Sequence, residues 1–262
     1  MRKSFNGSRR KPLAATIVIA AGLLFSGGGY AVATNVVESS VAPEYTAEQI
    51  SEGRKLFLAN CASCHGLNAE STAAGPSLIG VGAAAVDFQV GTGRMPGQGS
   101  GPQLPKKKVQ FTEDQISLMA AYVASLAPGP AIPEAQYLEA TGDASHGGEL
   151  FRINCAMCHN AVGAGGALTE GKYAPSLEGS SAKHIYEAMV IGPQNMPVFN
   201  DANLTPEDKQ DIITYLAYID ENGSAGGYEL GSLGPVAEGL FVWIFGLGLI
   251  IAITVWLGAK SN

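Results

Sequence analysis

Cysteine and histidine are scarce in this sequence, with four of each in 262 residues. All four cysteines fall in two pentapeptides, residues 61–65 (CASCH) and 155–159 (CAMCH). No cysteine remains for a disulfide scaffold elsewhere in the chain. Two of the four histidines close the same pentapeptides, so the scarcity directs attention to one repeated motif.

Charged residues are also few, at 15% of the sequence, and acidic residues outnumber basic ones by 23 to 16. Five basic residues and no acidic ones lie in the N-terminal leader, so the net charge of −7 becomes −12 for the rest of the chain. An acidic chain argues against nucleic acid as a partner. It suits solubility or docking to a basic protein surface.

The repeated pattern Cys-x-x-Cys-His is the attachment signature of haem c. Two thiols add to the vinyl groups of one haem, and the adjacent histidine ligates its iron. A lone Cys-x-x-Cys also occurs in disulfides, thioredoxin-like redox pairs and halves of zinc sites. Because zinc needs four converging ligands and a redox pair needs a βαβ context, two matched copies favour two covalently bound haems c and electron transfer.

The flanks of the two motifs reveal an internal duplication. Residues 53–61 and 147–155 share Gly, Leu, Phe, Asn and Cys in one register. An apolar face on each segment predicts a short helix leading into the haem motif. Each repeat then ends in a second predicted helix, with Thr112 and Thr205 as the N-cap residues.

Methionine is the expected sixth iron ligand in such a protein, because it raises the reduction potential and closes the iron to small ligands. Met95 and Met196 are each followed by proline and preceded four residues earlier by glycine, so we predict both as ligands. Met189 competes by simple counting, since it follows His159 by 30 residues as Met95 follows His65. Its apolar helical surroundings favour a core position instead.

The ligand histidines also need a partner for their second ring nitrogen. The backbone carbonyls of Pro76 and Pro175 are the candidates, although each proline has the alternative of shaping a loop only. His146 and His184 have no counterpart in the other repeat, so we interpret them as surface or packing residues.

Both ends of the chain carry uncharged apolar runs. The run after the basic leader, residues 13–37, is compatible with a signal peptide cleaved after residues 31–33 (AVA) and with a retained transmembrane anchor. Residues 239–258 have the length and composition of a transmembrane helix, with Trp243 and Trp256 near its ends.

The segments between these features predict the domain organisation. A proline-rich stretch after residue 127 predicts a semi-rigid spacer between the repeats. Residues 97–105 predict a loop beside the first haem, and the lysine run 106–108 a solvated loop. The expected divisions are a leader and apolar segment, a first cytochrome c domain, a linker, a second cytochrome c domain, a glycine-rich linker and a transmembrane helix: 1–37, 44–127, 128–143, 144–222, 223–238 and 239–258.

Beyond the haem motifs, several loops resemble those of the dihaem cytochrome c subunit of actinobacterial-type cytochrome bcc complexes, the menaquinol–cytochrome c reductases. The similarity covers nearly the whole chain past the leader. The segments that carry it are 93–96 (GRMP), 102–112, 154–160 (NCAMCHN), 171–175 (GKYAP) and 192–197 (GPQNMP).

The resemblance implies a mainly α fold with two tandem class I cytochrome c domains. It implies electron transfer from a Rieske iron–sulfur subunit, fed by menaquinol at a cytochrome b subunit, to a haem–copper terminal oxidase within a supercomplex. The haem domains would lie on the extracytoplasmic face of the cell membrane. The implied sites are Cys61, Cys64, His65 and Met95 for the first haem, and Cys155, Cys158, His159 and Met196 for the second.

Other functions remain open on the residues alone. A dihaem subunit of another oxidase or a stand-alone anchored carrier would have the same motifs. A haem enzyme such as a peroxidase would need an open iron position, which two Met-Pro segments argue against. A protein whose haems are purely structural is the third alternative.

Overall fold

The computed structural model describes residues 16–26, 45–99, 101–223 and 235–260. The described part is mainly helical, with one two-stranded sheet. Its elements are α1 (Thr16–Ser26), α2 (Ala47–Asn60), α3 (Ala62–His65), α4 (Gly82–Gly91), α5 (Glu113–Ala124), α6 (Ala144–Asn154), α7 (Ala156–His159), β1 (Gly166–Ala167), β2 (Tyr173–Ala174), α8 (Ala182–Ile191), α9 (Pro206–Asn222), α10 (Pro235–Phe241) and α11 (Gly248–Lys260).

Two similar helical domains follow each other along the chain. In the first, α2 and α5 pack together and α4 packs on α5; in the second, α6 packs on α9 and α8 packs against the same helix. Thr112 and Thr205 cap α5 and α9 with reciprocal side-chain and backbone hydrogen bonds, so both predicted helix starts are confirmed.

In each domain the first and last helices cross at a glycine. A Cβ on Gly53 would overlap the backbone carbonyl of Leu118 in α5, and a Cβ on Gly147 would overlap that of Asp211 in α9. The same pair of helices is joined by an aromatic contact, Phe57 to Tyr122 at 5.1 Å between ring centroids and Phe151 to Tyr215 at 5.6 Å. The duplication in the sequence is therefore a duplication of packing.

Each domain has its own apolar core beside its haem motif. The first is built around Phe57, Ile116 and Met119, and the second around Phe151 and Ile212. Burial of an aliphatic or aromatic side chain contributes roughly 1.5–3 kcal/mol to folding.

The repeats differ between the haem motif and the proline that follows it. In the first domain a single bridge pairs Thr72 with Gly75. In the second, β1 and β2 pair as a short antiparallel hairpin, with Gly166 opposite Ala174. The hairpin makes the segment between the histidine and its proline partner longer in the second domain, so spacing along the sequence is not preserved.

Apolar helices also occur near both ends of the described chain. α1 is a short apolar helix within the unit Met1–Glu44, which is separate from Tyr45–Asn262. Near the other end, Glu238–Lys260 is one apolar helix of 23 residues, long enough to cross a membrane, with a π-helical segment over Val242–Leu247. The predicted cleavage site at 31–33 and most of the predicted glycine-rich linker lie outside the described residues.

Candidate haem sites

The first haem motif forms a single helical turn that ends on the histidine. His65 closes α3, is 7% exposed, and its Nδ1 lies 2.7 Å from the Pro76 carbonyl oxygen. A carbonyl only accepts hydrogen bonds, so Nδ1 carries the proton and Nε2 keeps the lone pair that an iron needs. The chain then leaves the turn at Gly66, whose φ of +87° is readily adopted by glycine.

The second motif repeats this geometry. His159 closes α7, is 9% exposed, and its Nδ1 lies 3.0 Å from the Pro175 carbonyl oxygen. Burial lowers the pKa of His159 although the hydrogen bond to Pro175 opposes it. The ring is thus held neutral, as ligation requires. Both proline carbonyls predicted from the sequence are confirmed as histidine partners.

The cysteines do not resemble a redox pair. Burial raises the pKa of the thiols of Cys61 and Cys155 to about 11, with a smaller contribution from Cys64 and Cys158 respectively. Thioredoxin-like catalysis needs the opposite, a thiol of lowered pKa. In the described part of the chain, neither cluster of potential metal-binding side chains includes a cysteine.

A cavity of about 290 Å³ opens beside the second motif. Cys155, Cys158 and His159 line one part of it, and Met189 and Met196 line another. Its other walls include apolar residues such as Phe151, Leu177, Ile185, Phe199, Ile212 and Leu216. Thiols, a neutral histidine and an apolar wall are what a covalently held haem requires, so the residues fit that group, which would supply reversible one-electron exchange at its iron.

Burial distinguishes the methionines. Met95 and Met196 are half-buried and lie at the edges of the two cores. Met189 is 2% exposed inside the second core, and Met119 is 1% exposed inside the first. Met157 is 93% exposed although it lies within a haem motif.

The loop lengths explain why counting residues favours Met189. The histidine and its proline partner are 11 residues apart in the first domain but 16 in the second, because of the β1–β2 hairpin. Residues equally distant from their histidines are therefore not equivalent in the fold. The equal spacing of Met189 and Met95 from their histidines therefore does not by itself make Met189 the counterpart of Met95.

The two domains are in direct contact, which the sequence did not predict. Gln103 exchanges two hydrogen bonds with the Tyr173 backbone at 2.8 and 2.9 Å. Gln194 exchanges two with the Leu104 backbone at 3.1 and 3.2 Å. The linker is also attached, since the Pro130 carbonyl accepts a hydrogen bond from the Ala84 amide. The segment expected only as a loop beside the first haem thus reaches the second domain.

A buried polar cluster lies at the same junction, between α4 and α8. Lys183 lies 2.8 Å from Asp87, and Glu187 is fully buried beside them. Burial alone would raise the pKa of Asp87, but hydrogen bonds from His184 and Lys183 hold it below its usual value. Burial, together with the charge of Asp87, raises the pKa of Glu187 to about 9.

The structure also places the other two histidines and the lysine run. His146 is an exposed residue paired with Asp211 at 2.8 Å, and that hydrogen bond raises its pKa although partial burial opposes the shift. His146 is thus a surface residue as expected, whereas His184 packs against Phe88 but also interacts with Asp87 at 3.6 Å and lines the cavity beside the second motif. The lysine run was predicted to be a solvated loop, but Lys107 is not free in solvent. Its ammonium donates a hydrogen bond to the Pro96 carbonyl and restrains the Met95–Pro96 segment.

Comparison with known proteins agrees with this architecture. A family model described as cytochrome c matches residues 50–127, and one described as cbb3-type cytochrome c oxidase subunit III matches residues 142–216. The cytochrome bc1 complex cytochrome c subunit of Corynebacterium efficiens is 42% identical, covering 96% of this chain and 90% of its own. This chain belongs to the family of cytochrome bc1 complex cytochrome c subunits.

Other relatives place the family in context. The cytochrome bc1 complex cytochrome c subunit of Mycobacterium tuberculosis is 42% identical over 96% of this chain and 92% of its own length. A cbb3-type cytochrome c oxidase subunit FixP from Sinorhizobium medicae is 30% identical over half of this chain. As a member of the bc1 family, the chain is a haem-bearing electron carrier of an oxidoreductase complex, and its two motifs are consistent with two covalently bound haems c.

Proposed function

We propose that this chain carries electrons from the Rieske iron–sulfur subunit of a menaquinol-oxidising complex to a haem–copper terminal oxidase, as part of a supercomplex. It acts as the electron-transfer subunit of a quinol–cytochrome c reductase, with a cytochrome b subunit as a further partner. The first haem receives electrons and the second delivers them.

The observation that carries this proposal is the direct packing of the two domains. The cavity of the second motif is lined by Phe88, Thr92 and Arg94 of the first domain as well as by the second domain itself. A tethered pair replaces diffusional collision of a separate carrier with a high effective concentration. Four hydrogen bonds between the side chains of Gln103 and Gln194 and the backbone of Tyr173 and Leu104 join the two domains.

The proposed sites follow the two motifs. Cys61 and Cys64 hold the first haem, with His65 and Met95 as its iron ligands. Cys155 and Cys158 hold the second, with His159 and Met196 as its iron ligands. We assign residues 44–127 and 144–222 to the two haem domains. Within each, the proline carbonyl accepts a hydrogen bond from Nδ1 and so orients the histidine with Nε2 free for the iron.

We also propose that Glu238–Lys260 anchors the chain in the cell membrane with the haem domains on the extracytoplasmic face. This helix is apolar, and its two tryptophans, Trp243 and Trp256, are 66% and 58% exposed. Interfacial tryptophans and a basic residue beyond them are typical of a helix whose C-terminal end faces the cytoplasm. The lysine at that end is Lys260, which stacks over Trp256 at 4.7 Å.

The order of the two haems is tested by removing one at a time in native membranes. With the Cys155→Ala/Cys158→Ala variant, menaquinol should still reduce the first haem while oxygen consumption stops. With Cys61→Ala/Cys64→Ala, quinol should no longer reduce the second haem. Met157→Leu is the matched control, because this 93% exposed residue lies between the two cysteines of the second motif and its replacement leaves both thiols and the histidine in place. Normal quinol reduction of the second haem without the first would contradict the order.

Partners are tested by purifying the tagged chain in mild detergent. Co-purified cytochrome b, Rieske protein and haem–copper oxidase are expected. The similarity of residues 142–216 to a cbb3-type oxidase subunit favours one alternative, a dihaem subunit of another oxidase. Recovery with an oxidase but without cytochrome b would support that alternative, and recovery of the chain alone would support an anchored carrier.

A further inference from the structure

Arg94 lies next to one haem ligand but faces the other haem's cavity. It immediately precedes Met95, the proposed ligand of the first haem, yet its side chain lines the cavity beside Cys155, Cys158 and His159. The residue is 8% exposed, and its guanidinium carbon lies 4.8 Å from the centre of the Phe88 ring. Its stacking on Phe88 directs the guanidinium into that cavity.

The guanidinium has no anionic partner among the residues that the structure describes. No aspartate or glutamate there forms an ion pair with it, and it makes no hydrogen bond within that part of the chain. Two other cations that lie away from solvent are paired: the fully buried Lys209 reaches Asp201 at 2.7 Å, and the partly buried Lys183 reaches Asp87 at 2.8 Å. A buried charge without a partner is costly, so the site calls for an anion.

The charged residues that line the cavity also favour a bound anion. Among its described lining residues there is no carboxylate, and its two formal positive charges are Arg94 and Lys106. Both belong to the first domain. The second domain supplies thiols, histidine, methionine and apolar side chains but no lysine or arginine to this cavity.

We propose that Arg94 binds a propionate of the second haem, so that the first domain completes the second domain's cofactor site. The inference rests on the proposed function, in which Cys155, Cys158 and His159 carry that haem. A haem presents two carboxylates, and the planar fork of arginine matches a carboxylate in two parallel hydrogen bonds. Lys106, exposed at the cavity wall, is a single point charge for the same end of the cofactor.

The charge also affects the redox equilibrium. A fixed positive charge favours the reduced iron, which carries one positive charge fewer than the oxidised iron. Removing it lowers the reduction potential of the second haem. The first domain therefore sets the potential of the haem to which it passes electrons.

The test is a redox titration of the purified full-length protein with both haems attached. Haem content per chain is measured first; a wild-type chain with one haem contradicts the proposed function rather than this inference. In Arg94→Gln, the oxidised-to-reduced ratio of the second haem at its wild-type midpoint should rise about tenfold, a shift of about 59 mV for one electron. The first haem should keep its potential.

Two further variants make the test specific. Arg54→Gln removes the same charge from an exposed position in the same domain and should shift neither haem. Arg94→Lys keeps the charge but loses the fork, so it should shift the second haem by less than Arg94→Gln, and it replaces that variant if the glutamine protein fails to accumulate. A second haem unmoved by either change at Arg94, or a shift confined to the first haem, would overturn the proposal.

Discussion

Two methionines line the cavity beside the second haem motif, and they differ in burial. Met189 is 2% exposed and belongs to the core between α8 and α9, whereas Met196 is half-buried in the loop after α8. A core methionine is held by packing on all sides. We therefore keep Met196, at the edge of that core, as the proposed iron ligand.

We expect Met196→Ala to open the sixth position of the second haem. Its spectrum should change from low-spin, methionine-ligated to high-spin or weakly ligated, and its potential should fall. Optical and magnetic circular dichroism spectra of the oxidised protein measure this. Met189→Leu is the control and should keep the methionine-ligated spectrum. An unchanged second haem in Met196→Ala would refute the assignment.

Glu187 predicts an unusual pH dependence of stability. Its pKa is raised from 4.5 to about 9 by burial and by the charge of Asp87. Because the folded-state pKa is above the ordinary value, the stabilisation is fully present below pH 4.5. It is lost as pH rises towards 9, since the unfolded chain ionises this group first.

Glu187→Gln should remove that dependence. We expect the variant to be more stable than the wild type by about 1–3 kcal/mol at pH 8–9, with the difference vanishing near pH 5. Denaturant unfolding of the haem-loaded protein at several pH values provides the measurement. Glu149→Gln, at an exposed site, should match the wild type throughout. A variant that loses stability at pH 9 would show that Glu187 is ionised and paired.

At the scale of helices and strands, the crossings at Gly53 and Gly147 control how each domain closes. Gly147→Ala should push α6 away from α9, because the added Cβ overlaps the Asp211 carbonyl. We expect a loss of about 2–4 kcal/mol in the free energy of unfolding. Thermal unfolding followed at the haem absorbance tests this.

The control for the crossing is a glycine in open surroundings. Gly99→Ala meets nothing within 4 Å and should be neutral. Equal stability of the Gly147→Ala and Gly99→Ala proteins would mean that the helices can separate without cost, contrary to the packing described above.

Sequence reasoning succeeded where a local rule determines the element. The caps at Thr112 and Thr205 depend on hydrogen bonds within four residues, and the apolar run of 239–258 depends on composition alone. Similarly, the His65–Pro76 and His159–Pro175 hydrogen bonds were predicted because a ligating histidine needs a partner for its second ring nitrogen. The β1–β2 hairpin was missed, since two-residue strands are too short to leave a periodic signal.

At the scale of the whole molecule, the contact between the domains could not be predicted from the sequence. Gln103 and Gln194 bond to backbone atoms, and backbone partners carry no residue identity that a pattern could reveal. The proline-rich stretch predicted a spacer, but Pro130 is docked on the first domain and Gln210 of α9 donates to the carbonyls of Gln136 and Glu139. The linker is held by both domains.

The contact between the domains should speed electron transfer between the haems. The Gln103→Ala/Gln194→Ala variant loses four hydrogen bonds across the junction while leaving both cores intact. We expect both haems to be attached with unchanged spectra but transfer between them to slow several-fold. Flash photoreduction of the first haem and observation of the second measures it. Gln98→Ala, an exposed glutamine nearby, should transfer at the wild-type rate, and so would the double variant if the junction were unimportant.

The shared cavity wall also bears on how the protein is made. Phe88, Thr92 and Arg94 of the first domain line the cavity beside Cys155 and Cys158, so we expect haem attachment at these cysteines to precede the docking of the two domains. A chain that lacks the second haem is then expected to leave this apolar cavity open to solvent. Limited proteolysis of the haem-loaded protein and of the Cys155→Ala/Cys158→Ala variant measures the difference.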